Sequence, residues 1–178
     1  MAHTEETVHE NGLPRLDVIA FIELDDPLRK NAKEMLGFFK QQQVDIKIIS
    51  GDNPYTVSSI AKKAGLEDYQ SYIDLSTITS DEEIKSIVDK YSIFARVLPH
   101  QKSLLVQALQ ERGRTVAMTG DGVNDVIALK QADCSITLPE ASDVARQVSQ
   151  IVLLNSDFSV LKDVLMEGRR VVNNITNV

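Results

Sequence analysis

The chain has 178 residues, 43% of them apolar and 25% charged, the proportions of one soluble globular domain long enough to bury a real core. Its formal charge of −7 excludes the basic footprint that nucleic acid or an anionic membrane surface requires. No stretch approaches the roughly 18 uninterrupted apolar residues of a membrane span, the acidic opening lacks the apolar core of a signal peptide, and the single Cys134 leaves no internal disulfide and fits a reducing compartment.

Residues 1–15 are polar and are set aside as a disordered segment or the remnant of something larger. Leu16-Asp-Val-Ile-Ala-Phe-Ile-Glu23 carries an apolar run and is predicted as the first strand. Asp26-Pro-Leu-Arg29 breaks it, because Pro27 fixes its own φ and restricts Asp26. Asn31 to Gln43 puts Met35, Leu36, Phe38 and Phe39 on one face, hence a helix. Val44 to Ser50 is a second strand, ending in Gly51-Asp52-Asn53-Pro54. The next helix begins near Pro54 or Tyr55, aligns Val57, Ile60, Ala61 and Ala64, and stops at Gly65. Between Leu66 and Tyr91 the sheet pattern lapses. Ser80-Asp-Glu-Glu83 has the form of a capping box opening a short helix through Val88, and residues 66–91 are expected as a surface excursion.

Ser92 to Arg96 restores a strand, and Pro99 starts a helix through Glu111 with Leu98, Leu105, Ala108 and Leu109 on its buried side. Gly113 closes it. Arg114-Thr-Val-Ala-Met118 is again a buried strand, followed by the acidic turn Thr119-Gly-Asp-Gly-Val-Asn-Asp125 and a helix from Val126. Cys134 to Leu138 and Gln150 to Leu154 are strands flanking a short helix at Ser142 to Val148. Ser156 or Asp157 caps a final helix towards Val178. Strands alternating with helices predict an α/β, Rossmann-type domain, a parallel sheet with helices on both faces. Its core spans 16–157, and 158–178 forms the C-terminal helix.

The acidic turn sits at the carboxyl end of a strand, where parallel α/β sheets bind ligands. Asp121 and Asp125, with Asn124 between them, can converge their oxygens on one point, a donor set suited to Mg²⁺ shared with a phosphate. By itself the turn also suits a plain strand–turn–helix junction, stabilised by Asp121 and capped by Asn124 or Asp125. Ser50-Gly-Asp52 repeats the form of Thr119-Gly-Asp121: a hydroxyl, a glycine and a carboxylate past a strand, together a phosphate cradle. Lys102 stands in the first turn of its helix, where the dipole disfavours a cation, but beside a phosphate it balances developing charge. Arg96 is either an ordinary exposed arginine or a partner for a nucleotide's polar groups.

The set Asp26-Pro-Leu-Arg29, Ser50-Gly-Asp52, Phe94-Ala-Arg-Val-Leu-Pro99 with Lys102, Thr119-Gly-Asp-Gly-Val-Asn-Asp125 and Ala128-Leu-Lys-Gln-Ala-Asp133 resembles the P-type cation-transporting ATPases. It is similar to the second half of their phosphorylation domain, which has the haloacid dehalogenase fold. The resemblance runs from Leu16 to the end, where Glu167-Gly-Arg-Arg170 and Asn173-Asn174 resemble the family's approach to its next transmembrane helix. It implies that Asp121 ligates Mg²⁺ with Asn124 and Asp125 completing the site, and that Ser50 and Gly51 hold the transferred phosphoryl group. Lys102 would balance its charge, and Asp52 and Arg96 would face the nucleotide. Asp26, Pro27 and Arg29 would form a hinge to a nucleotide-binding domain. The implied ligands are ATP and Mg²⁺; the implied partners are the rest of the same transporter and, through its membrane helices, a cation such as calcium or magnesium. The full-length protein would lie in the cell membrane with this domain on the cytoplasmic side.

Two departures matter: Ser50 stands where the family usually has threonine, a mild change that keeps the hydroxyl, and Val126-Ile127 where alanine-proline is common, which bears on the local helix start and not on the ligands. A larger one is that the 178 residues contain no Asp-Lys-Thr-Gly-Thr nucleophile segment. The chain is therefore expected to be an inactive fragment of a longer transporter, with a first strand missing. A free-standing haloacid dehalogenase-type phosphatase or phosphate-binding module would need its own Asp-x-Asp strand near the start. A non-catalytic interaction module would give no reason for Ser50, Lys102, Asp121 and Asp125 to coexist at strand ends.

Overall fold

In this computed structural model residues 2–3, 17–21 and 27–176 are described. The strands are β1 (Ala2–His3), β2 (Asp17–Val18), β3 (Ile48–Ile49), β4 (Tyr72–Asp74), β5 (Ile93–Ala95), β6 (Ala117–Thr119), β7 (Cys134–Thr137) and β8 (Ile151–Val152). The helices are α1 (Ala32–Gln41), α2 (Pro54–Ala64), α3 (Asp81–Ile87), α4 (Pro99–Glu111), α5 (Val126–Gln131), α6 (Asp143–Val148) and α7 (Val160–Thr176). Short 3-10 turns at Leu75–Thr77 and Val123–Asp125 complete the order.

The ladders from β3 onward are parallel, as the strand–helix alternation requires. They form two three-stranded sheets, ordered β3-β5-β4 and β6-β7-β8. Strand β5 is buried throughout, and its alternation separates two cores. Phe94 packs with Leu75, Ile84, Val88 and Leu105 under α3 and α4, whereas Ile93 faces Val57 and Ala61 of α2. The second sheet is covered in the same two-sided manner. Met118 packs with Val106, Leu129 and Ala145, while Ile136 and Leu138 meet Met35 of α1 and Leu161 of α7. Helices therefore lie on both faces, as expected.

Local sequence explains the element ends. Asn53 caps α2 by accepting the Tyr55 N–H at 2.9 Å, Pro54 takes the first helical position, and Gly65 leaves the helix at φ 89°. Ser80 accepts the Glu83 N–H to start α3. Helix α1 is shorter than the predicted 31–43, ending at Gln41 with Gln43 in a left-handed conformation at φ 60°.

Two expectations differ from what is observed. Residues 66–91 are not a surface excursion: β4 pairs with β5, and Leu75, Ile84 and Val88 are at most 1% exposed. The three-residue strand was too short to show a period, and its apolar followers belong to a helix core. The predicted first strand reduces to Asp17–Val18, paired antiparallel with Ala2–His3 outside both parallel sheets. Val18, Ile19 and Phe21 are 62%, 66% and 93% exposed, so these three apolar side chains enter no core. Leu16, Ile22 and Glu23 lie outside the described residues, as does most of the segment 1–15.

Candidate functional site

Two strand ends and one helix start build the site. After β3 the chain turns through Ser50-Gly51-Asp52, and the Ser50 hydroxyl accepts the Asp52 N–H at 3.1 Å while donating to Asp52 Oδ2 at 3.3 Å. The loop is stitched to the end of β5, since Ser50 N–H donates to the Phe94 carbonyl at 2.9 Å and Val97 N–H to the Ser50 carbonyl at 3.0 Å. A Cβ on Gly51 would reach only the Val97 carbonyl, at 4.0 Å.

The acidic turn after β6 is fixed from within by Asp125. Its Oδ2 accepts the N–H groups of Asp121 at 3.3 Å and Gly122 at 3.2 Å, and its side chain is buried. Gly120 is required here, because a Cβ would stand 2.6 Å from Asp125 Cβ. From outside, the Thr137 hydroxyl donates to the Gly120 carbonyl at 2.6 Å and Ser142 N–H to the Asp121 carbonyl at 2.9 Å. Helix α5 starts at Val126 despite the Val-Ile pair, continuing the 3-10 turn.

Lys102 reaches this turn from α4. That helix begins at Pro99, where the buried Gln101 side chain accepts the N–H of Leu98, the residue before the helix, at 2.9 Å, and Leu98 offers no side-chain cap. Lys102 Nζ donates to Asp125 Oδ1 at 2.6 Å. The ammonium thus has a carboxylate partner where the helix dipole gives it none.

Ser50, Gly51, Lys102, Thr119, Asp121 and Asp125 line one cleft of about 320 Å³, with Phe158 and Leu138 among its apolar walls. Of the residues singled out from sequence, Asp52, Arg96 and Asn124 do not line it. Arg96 turns instead to Asp74, with Nη1 3.3 Å from Oδ2. Asp121 is exposed at the cleft, so its hard oxygen atoms are open to a cation there, the donor type that Mg²⁺ takes, while Asn124 is exposed on the same turn outside the cleft lining. Among the described residues no three His, Cys, Asp or Glu side chains gather as a closed metal cage.

The cleft lies between β3 and β6, and among the described residues no strand pairs with the outer edge of either. Asp26 lies outside the described residues, whereas Arg29 donates to the Ser156 carbonyl and stacks 5.9 Å from the Phe158 ring. Asn31 likewise donates to Asp157. The stretch next to Pro27 is thereby joined to a cleft wall. Sequence reasoning missed Thr137, Gln101 and Asp74. A polar residue alternating with Ile136 and Leu138 marks Thr137, and a carboxylate just past an apolar run marks Asp74, as it does Asp121.

The haloacid dehalogenase-like hydrolase profile matches residues 2–133. A probable cation-transporting ATPase, exp7, of Streptococcus pneumoniae is 53% identical over 92% of this chain and 21% of its own length. The calcium-transporting ATPase CtpE of Mycobacterium bovis is 43% identical over 96% of the chain and 21% of its own length. The chain thus spans about a fifth of these relatives. Among solved structures, the catalytic domain of the CPx-ATPase CopB-B superposes with a TM-score of 0.57 at 26% identity, covering 75% of this chain and 43% of that one.

Proposed function

This chain belongs to the haloacid dehalogenase-like hydrolases, its curated relatives are P-type cation-transporting ATPases, and from this we propose that it holds the phosphoryl group and Mg²⁺ in the phosphorylation domain of an ATP-driven cation pump. The observation that carries the reading is the cleft: Ser50, Gly51, Lys102, Asp121 and Asp125 come from separate strand ends and one helix start, yet line a single space. A shared cleft is what phosphoryl transfer demands, since its catalysis is mostly positioning and charge stabilisation.

Each residue has a role within that reading. The Ser50 hydroxyl and Gly51 N–H receive the phosphoryl oxygens, Lys102 balances their charge, and Asp52 and Arg96 face the nucleotide from outside the cleft. Mg²⁺, when bound, screens charge between phosphate oxygens. Asp121 would hold it, with Asn124 and Asp125 completing the shell; Asp125 already accepts Lys102 on Oδ1 and two turn amides on Oδ2, which leaves Oδ1 the freer of the two for a cation. The attacking carboxylate would come from an Asp-Lys-Thr-Gly-Thr segment, which the 178 residues do not contain. The open edges of β3 and β6 beside the cleft suit such a strand, which would lie centrally between the two sheets. Pro27 and Arg29, with Asp26, form the hinge to a nucleotide-binding domain. No helix among the described residues is long and apolar enough to cross a membrane. In this reading transport and the choice of cation belong to membrane helices of the longer transporter, with this domain on its cytoplasmic side.

The test is incubation of the chain with radiolabelled ATP and Mg²⁺, before and after an Asp-Lys-Thr-Gly-Thr strand is fused to it. Acid-stable label is expected only after fusion, and it should vanish in the fused Asp121→Asn variant. Label on an Asp of the unfused chain overturns the assignment.

A further inference from the structure

Arg96 has a backbone conformation that L-residues seldom adopt: its φ is 50°, in the left-handed region. It sits just past β5, and its corner is bonded to both ends of the Ser50–Asp52 loop. Arg96 N–H donates to the Asp52 carbonyl and Val97 N–H to the Ser50 carbonyl, each at 3.0 Å. The side chain is held separately, by Asp74 Oδ2 at 3.3 Å from Nη1. Asp74 ends β4 and stands opposite Ala95 across the parallel ladder, one residue before Arg96.

Asp74 does not depend on Arg96 for its own place. Its Oδ1 accepts both the Ser76 hydroxyl at 2.6 Å and the Ser76 N–H at 3.0 Å. The Ser76 hydroxyl first, then its N–H and the Arg96 charge, hold the Asp74 carboxyl below the ordinary carboxylate range. The carboxylate is a fixed post, and the strained corner is tied to it. Strain of this kind persists only where the surroundings over-determine it, and it collects at functional sites.

We propose that Asp74 is a positioning residue for the phosphate-binding loop: anchored by Ser76, it pins the Arg96 side chain and so keeps the residue-96 corner left-handed, holding Ser50, Gly51 and Asp52 ready for a phosphoryl group. This rests on the reading of Ser50–Asp52 as a phosphate cradle. Without the pin, the corner relaxes to negative φ, its N–H swings off the Asp52 carbonyl, the adjoining Val97 N–H turns from the Ser50 carbonyl with it, and both ties of the loop loosen. Arg96 is thereby important to the site without lining it, through its main chain.

The experiment uses the whole chain, with amide hydrogen exchange and an NMR titration of inorganic phosphate with Mg²⁺. Asp74→Asn keeps an oxygen for Ser76 and removes the charge facing Arg96. Exchange at the Arg96 and Val97 amides should then speed up about tenfold, with a similar loss of phosphate affinity. Arg96→Gly adopts the left-handed corner without strain, so its Val97 amide should exchange slowly whether or not Asp74→Asn is added. A merely structural Asp74 would speed exchange in both backgrounds alike, and that outcome overturns the proposal. So does wild-type exchange and affinity in Asp74→Asn. Ser76→Ala, which loosens the post and leaves the ion pair, should shift both readouts less and in the same direction. It stands in if Asp74→Asn does not fold, and no shift in it also overturns the proposal. If wild-type chain leaves the Ser50–Asp52 amides unmoved by phosphate, the cradle reading fails, while the exchange series still decides whether Asp74 holds the corner.

Discussion

Lys102 Nζ and Asp125 Oδ1 lie 2.6 Å apart, with 15% and 9% of their side chains exposed, and this pair joins the start of α4 to the acidic turn. Asp125 meanwhile orders the turn through its other oxygen, which accepts two backbone N–H groups. One carboxylate therefore sets both the cation's position and the turn's shape.

Lys102→Met removes the charge and leaves Asp125 largely buried without its cation. The expected cost is about 2–3 kcal/mol in urea unfolding, below that of a fully buried orphan charge because some water remains in reach. Adding Asp125→Asn to that variant should recover part of the loss, since an uncharged amide needs no counter-ion. A Lys102→Met variant as stable as wild type would show the pair to be idle.

Mg²⁺ should bind the chain weakly, because it dehydrates reluctantly and takes part of its shell from phosphate. NMR shifts on Mg²⁺ addition are expected at residues 121–125 and should disappear in Asp121→Asn. Persistence of the same shifts in that variant would move the ion elsewhere.

Gly120→Ala puts a methyl 2.6 Å from Asp125 Cβ, against a side chain already fixed by three hydrogen bonds. A loss of about 1–3 kcal/mol is expected from the forced shift. Gly168→Ala is the control: a Cβ there meets nothing within 4 Å on the exposed side of α7, and helix propensity predicts a gain of about 0.5–1 kcal/mol. Equal effects of the two substitutions on the melting temperature would refute this account.

Acid should destabilise the chain below about pH 4. Asp133 is held below the ordinary range by the Val116 N–H and then the Gln110 side chain, and Asp157 by the Ser159 hydroxyl, its N–H and Asn31. A lowered folded-state value stabilises fully above the unfolded value and is lost as pH falls through the folded one. The urea midpoint should therefore hold near neutrality and fall on acidification, with a smaller fall in Asp133→Asn. A midpoint insensitive to pH through that window would contradict the assignment.

The residues that end elements were legible in the sequence. Asn53, Pro54, Gly65 and Ser80 act through bonds spanning a few residues, so their local chemistry suffices. The shared form of Ser50-Gly-Asp52 and Thr119-Gly-Asp121 was equally visible, and both loops reach the cleft. What was hidden depends on partners distant in sequence. Thr137 reads as an ordinary strand residue until its hydroxyl meets Gly120, and Arg96 as either an exposed arginine or a nucleotide partner, with nothing to show that its corner meets Asp52. Strand β4 escaped notice because three residues cannot display a period. Val18, Ile19 and Phe21 misled for the opposite reason, since a strong apolar pattern promises a core but cannot supply the neighbouring strand.

Helix α4 carries Leu105 into the core of the first sheet and its neighbour Val106 into that of the second. Each parallel ladder closes within its own contiguous length of chain, 48–95 for one and 117–152 for the other. With no strand joining them among the described residues, α4 is the main seam between the halves, with a smaller contact of α1 on α2 beside it. The two halves can open as separate cooperative units, and a graded loosening of α4 would uncouple them before either melts. Lys102 rides on the first turns of that seam, so the same helix that unites the folding units also aims the cation into the cleft.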